Sequence, residues 1–235
     1  KFLLKYKLER TILLIPNSKF KNEVENALKL TEIKIKDKFF YDTDPTILTS
    51  QIEKVTRYPQ RKQNLLDEIK RVKNSNDPNK EKKLEILNKK DTIGGINFDS
   101  VVIADFDQNL RSVATSLLYT DVSSKRVQYI SLNQWFDETL TKDETLQPIY
   151  FPSVNKKNFE QFKSEYANIF GKPGNKIAFL SYDIVGLIYY LIYKNDFIIE
   201  KKIFNEKSRF KGKIGTFEIE NNVITHDLSF YSAEH

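Results

Sequence analysis

Three short stretches combine polar side chains with aromatic rings in a way that could hold a small molecule. They are Pro16-Asn17-Ser18 with Phe20, Asp105-Phe106 with Gln108, and Asn133-Gln134-Trp135. Amides, hydroxyls and carboxylates supply fixed hydrogen bonds, and the rings supply apolar walls, which is what a small-molecule cleft requires. Hydrolytic and metal chemistry find less to work with. The two histidines, His226 and His235, lie in no cluster of ligating residues, and zinc sites need clustered ligands. Gly94-Gly95 lacks the GK[ST] run and the following helix of a phosphate loop. No serine stands in a nucleophile elbow. Asp105 and Asp107 flank Phe106 and could act as a carboxylate pair. Acids at a helix start are also what the helix dipole attracts, and that reading is preferred. The expectation is a non-catalytic protein with no metal site and no cofactor.

The elements that must position these stretches read as α/β. Thr11-Ile12-Leu13-Leu14-Ile15 is a continuous apolar run, as in a strand buried on both faces. Asn17-Ser18 then supplies an N-cap for a helix marked by Phe20, Val24, Ala27 and Leu28. A second strand is expected within Ile33 to Tyr41, and a helix after Pro45 carries Ile47, Leu48, Ile52 and Val55. Ser100 to Ala104 is a strand, Leu110 to Leu118 a helix, and Val127 to Leu132 another strand. Strands alternating with helices predict a parallel sheet flanked by helices. In such sheets ligands bind beyond the carboxyl ends of the strands. That rule selects Asn17, Ser18, Phe20, Asp105, Phe106, Gln108, Asn133 and Trp135, and predicts that they converge on one edge.

Two segments break the rhythm. Arg61 to Lys73 and Lys80 to Lys89 form a helical hairpin, with Asp77 as N-cap and Pro78 at the first helical position. It is expected to be an appended element that can be removed without unfolding the rest. From Gln147-Pro148 an extended crossover leads to a helix with Phe159, Phe162, Tyr166 and Phe170. A very apolar helix, Ala178 to Tyr193, follows. Gly212 to Tyr231 alternates like a hairpin turning at Asn221-Asn222. The expected organisation is an α/β lobe over 1–147 with the hairpin inserted at 58–94. A partial second lobe over 148–206 and a C-terminal hairpin over 207–235 complete it.

Composition narrows the partners. The formal charge of +6 is localised, since Arg57 to Lys90 alone carries 11 Lys/Arg against 5 Asp/Glu. Nucleic-acid binders more often interleave basic residues with stacking aromatics, so nucleic acid is not expected. Cysteine is absent, which excludes disulfides and thiolate ligands. Methionine is absent even at position 1, so the chain is expected to be part of a longer precursor. No uninterrupted apolar run approaches the roughly 20 residues of a membrane span.

The run Phe98 to Asp105, the following helix, Val127 to Trp135 with Asp137, Tyr182-Asp183, and Gly212, Gly215 and Phe217 together resemble a known family. It is the Leu/Ile/Val-binding-protein family, of type I periplasmic binding-protein fold. The resemblance runs from about Thr11 to Tyr231 and is strongest to the family's second lobe, with only a returning segment of the first. The hairpin, its closing Asp91-Thr92-Ile93-Gly94, and Tyr119-Thr120-Asp121-Val122 are similar to penicillin-binding protein activators. That narrower resemblance implies a periplasmic, lipid-anchored outer-membrane lipoprotein that regulates a peptidoglycan synthase by contact. The basic hairpin, for which a solute receptor has no obvious need, makes that the preferred reading; the alternative, implied by the broader resemblance, is a solute receptor that delivers a small polar, amino-acid-type ligand to an ABC permease. The broader resemblance also implies that Phe20, Phe106 and the Asn133–Trp135 loop face the ligand.

Overall fold

β1 (Thr11–Pro16) is buried at all six residues. Parallel strands β2 (Asp37–Tyr41) and β3 (Ser100–Ile103) pair with it on either side. A strand with no solvent face needs no polar alternation, which is why the run Thr11 to Ile15 is unbroken. Thr11 and Ser100, one on each of two adjacent strands, join their hydroxyls at 2.7 Å within the core. With β4 (Gln128–Ser131), β5 (Ile149–Ser153) and β9 (Ser229–Ala233) the sheet has the order β2-β1-β3-β4-β5-β9. All pairings from β2 to β5 are parallel. The computed structural model describes residues 2–31, 33–136, 142–198, 200, 205, 207–221 and 223–233. His235, Asp137 and Asn222, singled out in the sequence, lie outside the described residues.

The chain forms two compact units. The first is Lys1–Leu132, Glu138–Phe151 and Ser232–His235, and the second is Asn133–Asp137 and Pro152–Tyr231. In the first, a short helix α1 (Phe2–Lys5) precedes β1. Helices α2 (Lys21–Lys29), α3 (Pro45–Thr56) and α6 (Asp107–Tyr119) follow β1, β2 and β3. Leu13, Ile15 and Ala104 pack with Val24 and Leu28 of α2. α3 packs on α6, and Thr49 Oγ1 meets Ser116 Oγ at 3.1 Å. Asp44 caps α3 by accepting from the Thr46 N–H at 2.9 Å, with Pro45 at the first helical position.

The expected hairpin is α4 (Tyr58–Lys73) and α5 (Lys80–Asn88), held by Leu65, Val72 and Leu87. α5 starts later than the sequence suggests. Asp77 accepts from the Asn79 N–H at 2.8 Å and pairs with Lys83, so Asp77 and Pro78 form the turn before the helix. The hairpin is tied to the rest of the first unit through Arg61. Arg61, 3% exposed, donates from Nε to the Thr56 carbonyl at 3.0 Å and from Nη1 to Thr92 Oγ1 at 2.9 Å. Its Nη2 donates to the Thr120 carbonyl. Thr92 donates onward to Asp121 at 2.5 Å, and Arg126 reaches the same carboxylate at 2.7 Å. The Asp91–Gly94 and Tyr119–Val122 stretches therefore meet around one buried guanidinium.

In the second unit, α7 (Lys156–Phe170) and α8 (Lys176–Lys194) are capped by Asn155 and Asn175, which accept from the N–H groups of Asn158 and Ala178. Phe159, Phe162 and Phe179 form an aromatic centre with centroids 5.1 and 5.2 Å apart. The tail is richer than one hairpin. β6 (Ser208–Lys211), β7 (Thr216–Glu220) and β8 (Val223–His226) form a three-stranded antiparallel sheet, while β9 joins the large sheet. Leu187 and Leu191 of α8 pack on Phe217 and Ile219 of β7. The stretch Ile177–Lys194 has a mean hydropathy of 1.4 and is long and apolar enough to cross a membrane by length and composition. Ser181 and Asp183 interrupt it, so it is not a continuous apolar run in the sequence. Only 22% of that stretch is buried.

Candidate functional site

The strand order reverses between β1 and β3. From β1 the chain moves outward to β2, and from β3 it proceeds the other way to β4 and β5. The connections therefore diverge at the carboxyl ends of those two strands, and open α/β sheets bind ligands at such a point. Asn17, Ser18 and Phe20 follow β1, and Asp105, Phe106 and Gln108 follow β3. The first unit thus brings six of the eight expected residues to one switch point.

After β1 the Asn17 N–H donates to the Tyr41 carbonyl at 2.7 Å. Ser18 Oγ accepts from the Phe20 N–H at 3.3 Å, and the Ser18 carbonyl accepts from the Lys21 N–H. Ser18 shapes the turn and does not cap α2, whose N-cap position is Phe20 with no side-chain bond. Phe20 is left 49% exposed.

After β3 the buried Asp105 acts as a strut. Its Oδ2 accepts from Tyr41 OH at 2.8 Å, and its Oδ1 accepts from the Phe106 N–H at 2.9 Å and from Asn109 Nδ2 at 3.4 Å. Burial first, and the Asp105 carboxylate second, hold the Tyr41 phenol well above its ordinary pKa, so it stays a donor. Asp107 opens α6 with φ +48°, a left-handed conformation uncommon for a non-glycine residue. Phe106, extended at φ −134°, is 36% exposed, and Gln108 is exposed beside it. Strained backbone of this sort clusters at functional sites. Sequence reasoning missed Tyr41 and Asn109. The only signal for Tyr41 was its place at the end of β2.

The other two expected residues belong to the second unit. Asn133 is exposed, while Trp135 is half-buried with its ring 5.5 Å from Phe159 and 6.4 Å from Phe179. Gln134 between them is buried, and its N–H donates to the Pro152 carbonyl at 3.2 Å. Trp135 therefore packs into the aromatic centre of its own unit.

No family model matches the chain, and no curated protein matches it. Solved structures do. The fold is that of the type I periplasmic binding proteins. A periplasmic ligand-binding protein of a branched-chain amino acid ABC transporter from Burkholderia xenovorans superposes with a TM-score of 0.62 at 7% identity, covering 99% of this chain and 56% of that one. The leucine-, isoleucine-, valine-, threonine- and alanine-binding protein of Brucella ovis, in a closed conformation, gives 0.59 at 10% identity over 98% and 54%. A solute-binding protein of an ABC transporter from Rhodopseudomonas palustris, in complex with 3,4-dihydroxybenzoic acid, gives 0.57 at 8% over 98% and 58%. The chain spans little more than half the length of these three proteins. At such identities the likeness is one of fold, and a fold hosts many functions.

Proposed function

We propose that this chain is a non-catalytic ligand-binding segment of solute-receptor type, which works in the periplasm and passes a small polar ligand to an ABC permease. The observation that carries the reading is the switch point between β1 and β3, where exposed Phe20 and Phe106 stand beside the polar groups of Asn17, Ser18 and Gln108. The aromatics offer apolar walls and the polar groups orient the ligand. Asp105 acts as a positioning residue through the Phe106 N–H. Asn133 and Trp135 are proposed contacts carried by the second unit. The reading is supported by structural neighbours that are substrate-binding proteins of ABC transporters.

Activation of a peptidoglycan synthase, with a lipid anchor, draws no support from those neighbours. The stretches that suggested it, Asp91–Gly94 and Tyr119–Val122, are engaged in the Arg61 network, which explains them as packing. The test is NMR titration of the labelled chain with branched-chain amino acids and hydroxybenzoates. Shifts at Asn17–Phe20 and Phe106–Gln108 that disappear in Phe106→Ala are expected. Ligand-induced shifts that leave both segments untouched would overturn the assignment.

A further inference from the structure

In the first unit, α4 carries Lys62, Leu66, Lys70 and Lys73 at intervals of four, four and three residues, which aligns them along one face. The stripe runs over about three turns, roughly 17 Å of helix. All four residues are exposed, Leu66 at 54%. The face that α4 uses for packing is a different one, carried by Arg61, Leu65 and Val72. Two positions beyond Leu66, on the opposite side, Glu68 is bound by Arg71 and interacts with Lys83 of α5. The stripe therefore faces away from the partner helix of the hairpin.

No acid lies in the stripe. Asp67 projects from a neighbouring face, and Glu68 is paired with Arg71 at 2.6 Å. Lys62 reaches the Tyr58 hydroxyl at 3.4 Å, which donates to Asp91 at 3.0 Å, so Asp91 offsets part of that charge. Lys70 and Lys73 have no ion-pair partner among the described residues. The hairpin as a whole adds to the same sign, with 11 Lys/Arg against 5 Asp/Glu over 57–90. An anionic partner offsets this surplus, and a cationic one is repelled.

The side-chain types choose among anionic partners. Protein interfaces are depleted in lysine and rely on arginine and aromatic anchors, whereas this stripe is lysine around a single leucine. Planar, bidentate recognition of a carboxylate or phosphate also calls for arginine. The arginines of α4 are engaged elsewhere, Arg61 in the core and Arg71 with Glu68. Lysine is a point charge on a flexible stem, which suits a fluid layer of phosphate headgroups. Its stem covers apolar surface while its ammonium stays in the polar layer, so a leucine between lysines can enter the acyl boundary. Beside Lys62, Tyr119 of α6 is 56% exposed, with its ring 5.6 Å from that of Tyr58. An exposed tyrosine is the kind of side chain that settles at a membrane–water boundary.

From these features we infer that the outer stripe of α4 docks the first unit onto an anionic lipid membrane. Lys62, Lys70 and Lys73 lie among the phosphate headgroups, and Leu66 reaches below them. The inference rests on the hairpin alone and does not depend on the switch point between β1 and β3.

The experiment is co-sedimentation of the full chain with vesicles of phosphatidylcholine alone and with phosphatidylglycerol added. Binding is expected only with phosphatidylglycerol, and it should fall as salt rises from ~0.1 to ~0.5 M, because screening shortens the reach of the lysines. Lys70→Gln with Lys73→Gln should lower the partition coefficient by about 25-fold, at about fivefold for each lysine near an anionic surface. Leu66→Gln keeps the charge and should cost at least about fourfold, the worth of one buried methylene. Lys82→Gln with Lys90→Gln removes the same charge off the stripe and should cost clearly less. Every substituted residue is exposed, so no variant removes a core contact. No binding to either vesicle, equal binding to both, or equal losses from the two lysine pairs would each overturn the proposal. Capture by polyglutamate without binding to phosphatidylglycerol vesicles would overturn it too, in favour of an acidic protein partner.

Discussion

A β-carbon at Gly212 would collide with the carboxylate of Asp183. The collision is the geometric counterpart of two hydrogen bonds, because Asp183 reaches the loop closely enough to accept from the Lys213 and Ile214 amides. The loop can approach the buried acid on α8 only where no side chain intervenes. Gly212→Ala should therefore destabilise the second unit by about 1–3 kcal/mol, the usual scale for overpacking. Gly215→Ala, where a Cβ meets nothing within 4 Å, should cost clearly less. Urea unfolding followed through Trp135 fluorescence checks the difference.

Tyr41→Phe removes the phenolic donor from a buried carboxylate while keeping the ring. Asp105 retains its bonds from Phe106 and Asn109 but loses the one at 2.8 Å. The expected loss of stability is about 1–3 kcal/mol, the cost of leaving a buried acceptor short of a partner. Because Asp105 fixes the Phe106 amide, the same variant should move the Phe106 and Asp107 amide resonances. A melt equal to that of the unaltered chain would show that the Tyr41 bond contributes nothing.

Arg61→Met should be among the most damaging single changes in the first unit. It abandons the Thr56 and Thr120 carbonyls and Thr92 Oγ1 in a buried setting. A loss on the order of 3 kcal/mol is expected from several orphaned acceptors. Joining Thr56 to Asn97 through a short linker deletes Arg61 with the rest of the hairpin and should collapse the melt of the first unit. Retention of a cooperative melt by that deletion would return the hairpin to the status of an accessory.

His226 makes stability pH-dependent in a defined direction. Burial lowers its pKa below the ordinary value of 6.5, with the Asp183 charge opposing in part, and its Nδ1 has no hydrogen-bond partner among the described residues. The unfolded chain then binds more protons than the folded one below about pH 6.5. Stability from this group is fully present above that pH and is lost as pH falls from there toward the lowered folded value. Replacing it by phenylalanine, which keeps the contact with Phe217, should flatten the difference between about pH 7.5 and pH 5. The comparison is of denaturant midpoints for the two proteins at both pH values.

The alternation of apolar runs and helical stripes determined the α/β class, because a strand paired on both edges and buried at every residue, as β1 is, must be continuously apolar. The same pattern placed Asn17, Ser18, Phe20, Asp105, Phe106 and Gln108 just beyond strand ends, since element boundaries are local properties of the chain. Which strands are neighbours is not local. Only the tertiary structure put β1 beside β3, made their ends a switch point, and brought Tyr41 from β2 onto Asp105 across 64 positions of sequence. Tertiary structure also decided that Arg61, which reads as one more charge on a basic hairpin, is a buried tie between three segments. Residue type reports a charge, but burial and hydrogen-bond partners depend on contacts distant in sequence. Trp135 shows the same limit. Its place after β4 is legible in the sequence, whereas its packing on Phe159 and Phe179 depends on the helices that follow.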